Sequence, residues 1–153
     1  MADGDEHPLG QVLDEARKRE TDAAARMRDL GRLLEEQKGR LEQLGGYRQE
    51  YALQLQAKGE GGSLLPLQLQ DYTVFIASLD GHLRTARARL TELQLACEQA
   101  REKWLRCHAR VKGLETVLEG RRRKQERLQA RREQTETDEY ASRAARRRRN
   151  SEV

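Results

Sequence analysis

The sequence is short of what a compact core needs. Aromatic residues are 4% of its 153, with one Phe, one Trp and four Tyr. Hydrophobic residues total 36% and charged residues 37%. That excludes a globular core of ordinary thickness. A disordered chain or a long thin helical one is left. Proline occurs only at Pro8 and Pro66, so nothing forbids long helices between and beyond them. β-branched residues are scarce, which argues against a sheet. No apolar run approaches the ~18 residues of a membrane span. The opening stretch from Met1 to Pro8 is acidic and polar, unlike a secretory signal. A soluble cytosolic protein is expected.

Cysteine is equally sparse. Cys97 and Cys107 are too few for a disulfide scaffold, and their spacing matches no zinc motif. They read as small core residues of a reduced chain. His7, His82 and His108 are scattered, and two helices enclose no dry pocket. Glu60-Gly-Gly is followed by no strand and no GK[ST], so it is a turn and not a phosphate loop. Neither catalysis nor a cofactor or metal is expected.

What is present is periodicity. Stepping by four and three from Leu9 gives Leu13, Ala16, Glu20, Ala23, Met27, Leu30, Leu34, Gln37, Leu41, Leu44, Arg48, Tyr51 and Leu55. Eleven of these fourteen positions are apolar. The same stepping from Tyr72 to Leu118 meets fourteen apolar residues without exception. These are heptad seams, and they decide for helix over disorder.

The two seams are equally long, and the glycine-rich Lys58-Gly-Glu-Gly-Gly-Ser63 separates them. A short turn forces antiparallel pairing, in which facing residue numbers total about 127. Ser63 is the expected N-cap of the second helix, with Pro66 in its first turn. The fold class is therefore all-α: an antiparallel two-helix coiled coil, or helical hairpin. The expected divisions are an acidic disordered tail over 1–8, helix one over 9–57, the turn over 58–66 and helix two over 67–119. A basic helical overhang over 120–149 and a frayed tail over 150–153 complete the chain.

Two features point to partners. Leu44, Tyr47, Tyr51, Phe75 and Leu79 fall together near the turn by the register. A partly exposed cluster of this kind reads equally as a binding surface or as a thickened core. Gly45 and Gly46 face Gly81 at the same level, as a hinge, a close approach or tolerated weakness. The overhang holds twelve Lys or Arg against five Asp or Glu, a net of +7. That asymmetry asks for an acidic partner. Nucleic acid is the alternative occupant, but Tyr140 is the overhang's one aromatic and Glu136, Asp138 and Glu139 interrupt the stripe. No wide apolar face is present to lie in lipid.

The stretches Leu44-Gly-Gly-Tyr47-Arg-Gln-Glu-Tyr51, Tyr72-Thr-Val-Phe75-Ile-Ala-Ser-Leu79, Lys103-Trp-Leu and Asp138-Glu-Tyr140-Ala-Ser-Arg143-Ala-Ala resemble the flagellar export protein family FliJ. The resemblance covers nearly the whole chain. It implies a stalk-like antiparallel coiled coil of the bacterial flagellar type III export apparatus. Such a stalk binds the export ATPase ring and its regulator, contacts the cytoplasmic domain of the export gate, and is linked to recycling of export chaperones. It also implies a place in the bacterial cytoplasm at the inner face of the membrane, held there through partners only. On that analogy Leu44, Tyr47, Tyr51, Phe75 and Leu79 would face the gate. Arg121, Arg122, Arg123, Arg127, Arg131, Arg132 and Arg143 would face the ATPase.

Overall fold

The computed structural model describes residues 6–152, with side chains from Pro8 onward. Two helices pack as a hairpin: α1, Glu6–Glu60, and α2, Pro66–Ser151. α1 extends past the expected bounds of 9–57, and α2 runs from one residue before the expected 67–119 through the stretch expected as a helical overhang, 120–149, to Ser151. The tail expected over 1–8 and the last residue of 150–153 lie largely outside the described residues.

The seams form because apolar side chains recur every 3.5 residues on one face of each helix. All the buried residues, among them Ala16, Ala23, Leu30, Leu83, Leu93 and Val111, occupy seam positions. Two compact units divide the described chain. In the unit Arg19–Cys107, Leu30, Leu93 and Ala100 form the core, with Met27, Leu34, Ala96 and Cys97 packed on it. In the other unit, which joins residues up to Lys18 with those from His108, Leu13, Ala16 and Val111 form the core under Leu114 and Leu118.

Two polar intruders in the first seam are used across the pair. Gln37 Nε2 donates to the Ala86 carbonyl at 3.1 Å. Arg48 Nε donates to Asp80 Oδ1 at 2.9 Å. Buried or half-buried polar groups need such partners, and both bonds are possible in one register only.

The turn differs from expectation in its length, residues 61–65 where 58–66 was expected, and in its cap. Ser63 does not cap α2: its Oγ donates to the Lys58 carbonyl at 3.5 Å, closing the end of α1. The residue before α2 is Leu65, whose amide donates to Gln68 Oε1 at 3.3 Å. This is the return half of a capping box, with Pro66 at the first helical position. The first seam ends in a tight wrap, Gly61 N–H to Ala57 O at 3.1 Å and Gly62 N–H to Gly59 O at 3.3 Å. Gly62 takes φ +67°, the left-handed conformation that ends helices and that a side chain would strain.

Candidate partner-binding surface

The aromatic cluster near the turn exists, but its members play different parts. Tyr51, half-buried on the seam, lies 4.6 Å from Phe75 and 6.4 Å from Tyr72 between ring centroids, both pairs tilted. Tilted rings at such distances attract through edge-to-face contact. Lys58 Nζ donates to the Tyr72 hydroxyl at 2.7 Å and sits 5.0 Å from the ring centre. This closes the side of the cluster nearest the turn.

Tyr47 stands apart. It is 45% exposed, and its hydroxyl accepts from Gln43 Nε2 at 3.0 Å on its own helix. Phe75 is 43% exposed despite its contact with Tyr51. Leu44 is half-buried. Leu79 is 7% exposed and belongs to the seam, so it supports the cluster from beneath. Of the five residues singled out, Tyr47 and Phe75 present the most surface.

Sequence reasoning passed over other exposed apolar residues nearby: Leu53, Leu65, Leu67, Leu69 and Val74. The signal was available, because Leu53 and Val74 each sit two residues before a seam position and so point away from it.

Beside the cluster, the Arg48–Asp80 pair shifts both partners. The hydrogen bond from Arg48 holds the Asp80 carboxyl below its ordinary range. Asp80 in turn raises the Arg48 guanidinium. Each side chain remains over 40% exposed, so water screens the pair. The three glycines at this level are uncrowded. A Cβ on Gly45 or Gly46 would meet nothing within 4 Å, and one on Gly81 only the Arg84 guanidinium at 3.9 Å. Close backbone approach therefore does not account for them.

The C-terminal part of α2 is a single helix with every residue from Gly120 to Glu152 exposed except Ala144. Its seam lapses, and Leu128 is 43% exposed. Arg122 and Arg123 reach back to Glu119 at 2.7 and 3.3 Å. The hydrogen bond from Arg122 keeps the Glu119 carboxyl below its usual range. Arg143 reaches Glu139 at 4.0 Å. Among the described residues no carboxylate pairs with Arg121, Arg127, Arg131 or Arg132. The helix thus presents guanidinium groups that no carboxylate among the described residues pairs with, the kind of group that binds carboxylates and phosphates.

Among the described residues no helix is long and apolar enough to cross a membrane. The family model for flagellar FliJ protein matches residues 5–150. No curated protein and no solved structure gives a match.

Proposed function

The chain belongs to the FliJ family and is a component of flagellar protein export, and from that premise we propose that it is a non-enzymatic coiled-coil stalk linking the export ATPase to the export gate. The observation that carries this reading is the basic stretch of α2 beyond Gly120, exposed throughout except at Ala144 and without a partner helix among the described residues. A net charge of +7 concentrated on one stretch of helix favours an anionic partner surface.

In this proposal Arg121, Arg122, Arg123, Arg127, Arg131, Arg132 and Arg143 engage the negatively lined interior of the ATPase ring. Tyr47 and Phe75 dock on the cytoplasmic domain of the gate, with Leu44, Tyr51 and Leu79 holding them in place. The protein reaches the inner face of the membrane through these partners and takes part in recycling export chaperones.

The test is ATP hydrolysis by the cognate export ATPase with and without this protein at low salt. The full chain is expected to raise the rate or promote ring assembly. An ATPase that neither responds to the chain nor binds it would sink the proposal.

A further inference from the structure

Heptad phase divides the unit Arg19–Cys107 into two unlike sides. On one side of the seam α1 carries Arg19, Arg26, Leu33, Arg40 and Tyr47, each one residue before a seam position. The matching positions of α2 are Phe75, His82, Arg89, Ala96 and Lys103. No carboxylate occurs at any of them. In an antiparallel pair these two columns face each other.

The geometry agrees. Arg19 and Arg26 line one groove with Lys103, about 610 Å³ in volume, over Ala23, Ala100 and Cys107. Asp22 is the one acidic residue that lines it. The register that brings Arg26 to Lys103 also sets Arg40 opposite Arg89. Positions like these commonly carry opposite charges, and like charges cost stability. Arg89 finds Glu92 on its own helix at 3.2 Å. Arg19, Arg26, Arg40 and Lys103 have no carboxylate partner among the described residues. The other flank differs in holding a carboxylate, Asp80, which answers Arg48.

We propose that this basic side is a docking groove for an acidic amphipathic helix of a partner protein. Charge sets the occupant's sign, and the floor sets its shape. Ala23, Ala96 and Ala100 are small enough to let a third helix approach closely. Leu33, 43% exposed, lies level with Ala96 between the two cationic levels. At 1.5 Å per residue, consecutive levels lie about 10.5 Å apart. The partner helix therefore carries acidic residues about fourteen positions apart, with an apolar residue midway. Between the two cationic levels lies an aliphatic floor, Leu33 with Ala96, and not an aromatic platform, which favours a helix over single-stranded nucleic acid. This inference rests on charge and register and stands independently of the ATPase and gate assignments.

The probe is a synthetic helical peptide of about 21 residues, with glutamates two heptads apart and leucine midway, beside a lysine-for-glutamate counterpart. The full chain is expected to bind the acidic peptide, more weakly as salt rises, and to ignore the basic one. Binding is expected to slow iodoacetamide alkylation of Cys107, which lines the groove and is a free thiol. The double variant Arg26→Glu with Arg40→Glu places a glutamate opposite Lys103 and another opposite Arg89. It is expected to lose about tenfold or more in affinity while its melting temperature holds or rises, because repulsions become ion pairs. A merely structural role would move both in the same direction. Lys103→Gln, which removes a charge without adding one, is expected to give a smaller loss. The proposal is overturned by any of three results: no binding of the acidic peptide, unprotected Cys107, or full binding by the variants. Tighter binding of a single-stranded RNA oligonucleotide than of the peptide overturns it as well.

Discussion

Arg48 and Asp80 join α1 to α2 by a 2.9 Å hydrogen bond between ions, beside the uncrowded glycines Gly45, Gly46 and Gly81. The folded state holds the Asp80 carboxyl below its ordinary 3.8. A carboxyl depressed on folding stabilises the protein above its unfolded pKa. That contribution fades as pH falls through the folded value. Asp80→Asn is therefore expected to lower the melting temperature at neutral pH. The gap to the parent closes below about pH 3. Parallel melting curves at neutral and acid pH decide it, and a gap constant with pH would assign the loss to packing.

The glycines themselves are testable. Gly45→Ala and Gly46→Ala place methyl groups in open space, so each is expected to stabilise α1 by about 1 kcal/mol in denaturant titrations. Gly62→Ala is expected to destabilise, because its φ of +67° suits a residue without Cβ.

Exposure separates the aromatic residues into two kinds. Tyr51→Ala removes ring contacts with both Tyr72 and Phe75 and is expected to cost about 1–3 kcal/mol of stability. Tyr47→Ala, at a side chain 45% exposed, is expected to change stability by less than about 0.5 kcal/mol while weakening gate binding. Circular dichroism melts beside a pull-down with the gate's cytoplasmic domain distinguish the two. Equal destabilisation would make Tyr47 structural.

Leu30 and Leu93 are 6% and 4% exposed in one core cluster. Leu93→Ala is expected to cost about 2–4 kcal/mol. Ending the chain at Gly120 removes only residues that pack on nothing, apart from half-buried Ala144. That truncation is expected to leave the melting temperature of the remainder within a few degrees but to abolish the effect on the ATPase. A large fall in melting temperature would mean that the stretch supports the hairpin.

The hairpin was legible because its signal is redundant. Leu83, Leu93 and Val111 each repeat a seam that any one of them could lose, and the matched lengths of the two seams imply the pairing. Local detail was less legible. Ser63 satisfies the usual rule for an N-cap, yet the glycines before it turn its hydroxyl back to Lys58. The unexpected cap at Leu65 works through Gln68, three residues on. Register sets Leu79 opposite Tyr47 in the partly exposed cluster, and its heptad position also places it on the seam, where it is 7% exposed. The basic groove escaped notice because Arg26 and Lys103 are 77 residues apart in sequence, and each alone is an ordinary surface cation.

The five-residue connection from Gly61 to Leu65 also bears on how the hairpin forms in time. Lys58 and Tyr72 meet across only 14 residues, Arg48 and Asp80 across 32, Gln37 and Ala86 across 49. Once an inner contact is made, the next has little extra chain to close, because closure entropy grows only with the logarithm of loop length. The pair therefore zips outward from its connection. Lesions near Tyr72 are expected to slow folding, and lesions near Leu30 to speed unfolding, in stopped-flow kinetics. A ribosome that has released α1 must still complete the first turns of α2 before the zipper can start.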